Sequence, residues 1–332
     1  MYISAIICTH NRSRHLEAAV ASLINQTLPR DGYEIIVVDN ASADDTGQVV
    51  RGLSSGTLNV RHVYEPELGL SHARNRGVAE ARGDVVAFMD DDAVADPQWL
   101  SAIKATFEGV SPQPVCVGGK VSPIWESPRP DWLPDDSKLG ILTVLHWGEQ
   151  PLWLQWGRQY LVGTNIAFKK DRLLAVGGFN PTLGRKGEGL LADEESLVLS
   201  LIYYGFGEKS IYYQPEAHVR HLIPDLRVSK RYLFKRCYSH AASGFLRQEI
   251  VYRMLSASNR HLLKDSLLWE VNKPRFIANH IKIVLSIMKD SVYAVLTRSK
   301  PRRTEYLFHI AFKLGHFVES SKYVLGLSGP LK

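Results

Sequence analysis

Val85-Val86-Ala87-Phe88-Met89 runs without a polar side chain straight into Asp90-Asp91-Asp92. A short apolar run of β-forming residues, ended by a polar turn, reads as a strand covered on both faces, as strands of parallel sheets are. The same shape recurs upstream. Residues 3–8 are apolar but for Ser4 and end at Thr9-His10-Asn11-Arg12, and Ile35-Ile36-Val37-Val38 ends at Asp39-Asn40-Ala41-Ser42. Residues 60–64 read as a further strand. Between these runs, residues 14–25 place Leu16, Ala19, Val20, Leu23 and Ile24 on one helical face, and residues 71–82 are also helical in pattern. Strands alternating with helices predict an α/β fold, with a mostly parallel central sheet flanked by helices and right-handed crossovers. Ligands bind such sheets beyond the carboxyl ends of the strands. Here three strand ends carry polar clusters, which predicts one shared site.

The rest of the chain changes character twice. Residues 123–160 are rich in proline and hold five of the seven tryptophans: Trp125, Trp132, Trp147, Trp153 and Trp156. These rings serve either core packing or, on the acceptor side of a site, stacking against sugar rings or contact with lipid headgroups. The pattern resumes over residues 160–168, with a helix near 193–204 and a strand near 210–213. Beyond about residue 225 the chain reads as helical. The predicted organisation is an α/β domain over residues 1–224 and a helical extension over 225–332.

Charge divides at the same place. Residues 1–224 carry 20 Lys and Arg against 27 Asp and Glu, whereas residues 225–332 carry 20 against 7. The basic tail, with Lys230-Arg231, Lys235-Arg236 and Lys300-Pro301-Arg302-Arg303, suits an anionic membrane surface or a solvated helical cap. No nucleic-acid module is recognisable, and the acidic body opposes such a partner. The most apolar stretch of the tail, residues 281–296, is interrupted by Lys282, Lys289 and Asp290, which argues against a spanning helix. The first residues read as a buried strand and not as a signal peptide. Three scattered cysteines (Cys8, Cys116, Cys237) fit a reduced chain. The expected location is cytoplasmic, with a peripheral position on the inner face of the cell membrane if the tail binds lipid.

Three adjacent carboxylates at a strand end repel one another and stay ionised together when a cation compensates them. Oxygen ligands at the mouth of a sheet suit Mg²⁺ or Mn²⁺, which would also bridge a diphosphate. The plainer alternative for an isolated acidic run is a solvated turn capping the next helix.

The ordered set of motifs is more informative. Phe88-Met89-Asp90-Asp91-Asp92, preceded by Val37-Val38-Asp39-Asn40-Ala41-Ser42 and by the run from Gly69 to Gly77, resembles the family 2 glycosyltransferases, which have a GT-A type fold. Cys8-Thr9-His10-Asn11-Arg12, Gly163-Thr164-Asn165-Ile166-Ala167-Phe168, Gly177-Gly178-Phe179 and the run from Pro215 to His221 fit the same family, over roughly residues 1–240. The resemblance implies a metal-dependent enzyme that moves a sugar from a nucleotide-diphosphate sugar to a hydroxyl acceptor, with inversion. The acceptor class it implies is a sugar or a lipid-linked sugar, in polysaccharide, glycolipid or glycoconjugate biosynthesis. Uridine diphosphate sugars are the family's commonest donors. By the same resemblance, Thr9, Asn11 and Arg12 hold the nucleotide, Asp39 its base or ribose, and Arg74 the diphosphate or sugar. Asp90 and Asp91 serve the donor side, and Asp92 ligates the metal, with His221 beside it. The family's catalytic Glu-Asp pair falls on Asp193-Glu194, in reversed order. Glu194 is then the expected base, with Asp193 orienting it or binding acceptor. Without the resemblance, both are dipole partners in a first helical turn.

Two other readings compete. A sugar nucleotidyltransferase would want a glycine-rich loop after the first strand, where Thr9-His10-Asn11-Arg12 stands. A non-catalytic nucleotide-sugar binder or membrane scaffold needs no base at all.

Overall fold

A computed structural model describes residues 1–55, 59–136, 139–187, 189–254 and 273–324. The chain forms two compact units. One comprises Met1–Ile124, Thr143–Glu188 and Glu194–Leu222, the other Trp125–Leu142, Gly189–Asp193 and Ile223–Lys332.

The first unit opens with β1 (Ile3–Thr9), α1 (Ser13–Ile24), β2 (Tyr33–Asn40), α2 (Thr46–Ser55), β3 (Val60–Glu65), α3 (Leu70–Glu80) and β4 (Val85–Asp90). There follow β5 (Ala93–Ala95), α4 (Trp99–Gly109), β6 (Cys116–Gly118), β7 (Val121–Trp125), β8 (Leu152–Trp153) and β9 (Asn165–Lys169). The last elements are α5 (Lys170–Ala175), α6 (Glu194–Phe206), β10 (Ile211–Tyr213) and β11 (Val219–Ile223). An eight-stranded sheet runs β3-β2-β1-β4-β9-β6-β10-β8, and a small sheet runs β5-β11-β7. The first four strands pair in parallel, whereas β9 runs antiparallel to both β4 and β6.

Both faces of the main sheet are covered. On β1, Ile3, Ala5 and Ile7 meet Leu16, Val20 and Leu23 of α1, while Ile6 faces the other way, in a cluster with Ala73 and Val78 of α3. Each such apolar side chain taken out of water contributes about 1.5–3 kcal/mol, so the period-two alternation fixes the strand faces. Register then aligns the strand ends, with Thr9 beside Asp39 and Cys8 beside Asp90.

The second unit is led by α7 (Lys230–Met254), α8 (Lys273–Leu296) and α9 (Lys300–Val324), with α9 packed on both α7 and α8. Gly315 lets α9 approach closely, since a Cβ there would stand 2.3 Å from the Tyr238 carbonyl oxygen. Segment 189–193 is stitched to α7: the Arg236 guanidinium donates to the Leu190 carbonyl at 2.8 Å, and the Ala192 amide donates to Ser243 Oγ at 3.0 Å. Among the described residues, no helix is long and apolar enough to cross a membrane. Residues 255–272 and 325–332 of the basic tail lie outside the described residues.

The tryptophans of residues 123–160 each meet a partner within the chain. Trp147, Trp153 and Trp156 pack edge-on or flat against Tyr160, Tyr212 and Tyr203. Trp125 and Trp132 lie under the cations of Arg129 and Lys230. These contacts give each ring a packing role, and all five stay half-buried.

Candidate active site

Three parallel strands deliver their carboxyl ends to one place. From β1 come buried Thr9, then Asn11 in a left-handed conformation (φ 53°), whose side-chain oxygen accepts from the Ala43 amide at 2.7 Å. Asparagine tolerates that conformation better than most residues. From β2 comes Asp39, which accepts from the Ser42 amide at 3.2 Å and lies 3.7 Å from His62 Nε2. Asp39, Ser42, Arg51, His62 and Tyr64 help line a cavity of about 390 Å³.

The acidic run after β4 splits three ways. Asp90 accepts from the Thr164 hydroxyl, which β9 places opposite it. Asp91 turns into the protein, where Arg12 Nη1 reaches it at 3.1 Å. Burial, then the neighbouring Asp92 charge, push the Asp91 carboxyl up to about 7, against the pull of Arg12. Asp92 takes the same Arg12 nitrogen at 2.6 Å on one oxygen and His221 Nε2 at 3.1 Å on the other. One cation compensating the run is therefore the protein's own Arg12, a partner that the strand-end reading did not include. Side-chain atoms of Asp90, Asp92 and His221 all lie within 4.8 Å of one another. Two carboxylates and an imidazole converging in this way fit a small divalent cation such as Mn²⁺ or Mg²⁺.

His221 arrives by a short ladder. β11 pairs antiparallel with β5, matching His221 to Ala93 and Val219 to Ala95. β11 starts only at Val219, within the run from Pro215 to His221, and His221 lies inside it. The reason is a tight turn before it, in which the His218 amide donates to the Glu216 carbonyl at 2.8 Å. His218 closes the far end of the ladder, with Nδ1 2.7 Å from Asp96 and Nε2 2.6 Å from Ser122 Oγ. The ladder is thus closed by an Asp–His pair at each end, only one of which joins the cation-binding set.

Arg74 is the hub on the other side. Its buried guanidinium bonds Glu194 at 2.7 Å and lies 3.9 Å from Asp90, against the rings of Phe88 and Phe179. Gly163 makes room for it, since a Cβ there would stand 2.3 Å from Arg74 Nη2. Asn165 anchors the neighbouring strand, accepting from the Trp99 indole and donating to the Lys120 and Ala217 carbonyls. Thr164, Asn165 and Gly163 were legible only as a motif, because packing partners leave no trace in local pattern.

Asp193 and Glu194 do not share a first helical turn. Glu194 begins α6, whereas Asp193 precedes it in a left-handed conformation (φ 73°). Within the second unit, Asp193 lies 3.1 Å from His240 Nδ1 and 3.7 Å from Arg247 Nε, both on α7. Burial works to raise its pKa, but the His240 bond and the charges of His240, Arg247 and Arg236 outweigh it and hold the carboxyl below its usual range. The dipole reading therefore fits Glu194 alone. His240 and Arg247 carried no signal in the sequence beyond the basic character of the tail.

The chain is similar to several known proteins. A solved structure of the mannosyltransferase PcManGT from Pyrobaculum calidifontis, in complex with GDP-Man and Mn²⁺, superposes with a TM-score of 0.59 at 20% identity, covering 98% of this chain and 88% of that one. It shares the GT-A type α/β fold. The glucosyl-dolichyl phosphate glucuronosyltransferase of Haloferax volcanii is 29% identical over 81% of this chain and 84% of its own. The succinoglycan biosynthesis protein ExoM of Rhizobium meliloti is 25% identical over 78% and 79%. The family model for glycosyl transferase family 2 matches residues 4–174. This chain is a glycosyltransferase and belongs to that family.

Proposed function

We propose that the protein transfers a sugar, with inversion, from a nucleoside-diphosphate sugar to a hydroxyl of a sugar or lipid-linked sugar, in the building of a glycoconjugate. The observation that carries this reading is Arg74, whose one guanidinium faces both the acidic strand end at Asp90 and the carboxylate of Glu194. The cavity at Asp39 takes the base and ribose, and Thr9 and Asn11 border the nucleotide. Asp90, Asp92 and His221 would hold a divalent cation, which would supply positive charge for the departing diphosphate. Arg12 and Asp91 shape this acidic turn from behind.

Glu194 accepts the acceptor's hydroxyl proton as the new bond to the anomeric carbon forms and the bond to the diphosphate breaks. Arg74 keeps Glu194 aimed. A diphosphate arriving beside Asp90 draws on the same guanidinium, so donor binding loosens Glu194 and frees it for the acceptor. The acceptor class follows the Haloferax relative, whose name specifies a lipid-linked glycoside. The three cysteines are unpaired thiols, as suits the reducing cytoplasm, where we place the reaction.

The test is a panel of nucleotide sugars, UDP- and GDP-linked, scored for thermal stabilisation and for hydrolysis with and without Mn²⁺. A bound donor at a hundredfold excess over Kd should stabilise by about 2.7 kcal/mol. Unchanged turnover in excess chelator would remove the cation from the scheme. No stabilisation by any donor would remove the scheme itself.

A further inference from the structure

In α8 the apolar side chains are not confined to the side that packs on α9. The side facing α9 carries Asp290, which is buried and bonded to Lys313, and Ser286, bonded to the same ammonium at 2.7 Å. The side facing away carries Val284, Leu285, Met288, Val292, Val295 and Leu296, between 42% and 78% exposed. At 3.6 residues per turn these six fall within an arc of about 120°, centred opposite Asp290. A helix serving only its own core would turn that arc inward and Asp290 outward. Exposed apolar side chains scattered singly are ordinary, whereas six on one face of one helix mark a contact surface.

The rim of the arc indicates what covers it. Exposed Lys282 and Lys289 flank it on one side, and exposed Arg298 follows two residues after the end of the helix. Arg302 and Arg303 follow within the next turn of chain, also exposed. No acidic residue lies between Ser291 and Arg303, and residues 225–332 carry an excess of 13 positive charges. An apolar stripe bordered by cations matches the boundary layer of an anionic bilayer, where acyl chains meet negatively charged headgroups. Lysines at the border extend their alkyl stems along the apolar layer and leave the ammonium among phosphates. The helix does not qualify as a spanning segment, so its position is in the plane of the surface.

We propose that the outward face of α8 is a docking surface for anionic lipid bilayers, with Leu285, Met288 and Val292 at the centre of the contact and Lys282 and Lys289 at its edge. This rests on α8 alone and is independent of the catalytic reading.

The test is flotation of the full-length chain with vesicles of phosphatidylcholine alone or mixed with phosphatidylglycerol, beside light scattering of the free protein. The wild type should float with the mixed vesicles, float poorly with the neutral ones, and be released by salt. Leu285→Gln with Val292→Gln should weaken flotation by about tenfold or more, with an unchanged melting temperature because both side chains point to solvent. Lys282→Gln with Lys289→Gln should weaken it less and flatten its salt dependence. Flotation indifferent to the apolar pair overturns the proposal, as does equal flotation with neutral vesicles. So does a dimer in free solution that the apolar pair dissociates, since the face then belongs to a second copy of the chain.

Discussion

Glu194 and Asp193 are neighbours in sequence with different surroundings, and their substitutions should separate cleanly. Glu194→Gln keeps the shape of the side chain and removes only its ability to take a proton. We expect kcat to fall by about 10²–10⁴ with donor affinity nearly unchanged. Asp193→Asn keeps a residue type that tolerates a left-handed backbone, but it strips His240 and Arg247 of their counter-charge. It should cost about 1–3 kcal/mol in stability by chemical denaturation and less than Glu194→Gln in turnover. If the turnover effects are exchanged, Asp193 is the base. Gly163→Ala tests the hub from behind, because the new methyl group displaces the Arg74 guanidinium. Turnover should fall while the fold persists. The pair of acids was visible in the sequence, since a helix start announces itself by composition. Their division was not, because a single left-handed residue changes no periodicity.

Short elements explain what else the sequence withheld. The strand that became β4 is readable because five apolar residues in a row admit few alternatives. β5 has only three residues and shows no pattern of its own; pairing with β11 makes it a strand. Yet this ladder brings His221 to Asp92, and the bonds of His218 to Asp96 and Ser122 hold its other end. His218→Ala should therefore raise the Kd for Mn²⁺, read by calorimetry, by about tenfold, as loss of outer support for a metal ligand does. An unchanged Kd would separate the two ends of the ladder. The polar clusters at the strand ends were legible because parallel sheets put ligands there. That Asp91 turns inward to Arg12 was not, since adjacent carboxylates look alike until a fold gives them different neighbours.

For the main sheet, acid should be the sensitive direction at Glu34. Glu34 is buried on β2, and burial alone would raise its pKa; the Arg82 amide, Arg61 and Ser4 together hold it below the ordinary value. A carboxylate with a depressed folded pKa stabilises the fold fully above its unfolded value of about 4.3, and that contribution is lost as pH falls toward the depressed one. Denaturation midpoints should drop over that window, and Glu34→Gln should lower the midpoint at neutral pH while flattening its fall in acid. The division between the two units is less linear than charge suggests. The helical unit is drawn from three stretches of chain, Trp125–Leu142, Gly189–Asp193 and Ile223–Lys332. A gene shortened after the codons for β11 would still encode residues 189–193, but not the α7 side chains that bond Leu190, Ala192 and Asp193. The basic helices therefore cannot be cut away after β11 as one block without leaving segment 189–193 stripped of the side chains that bond it.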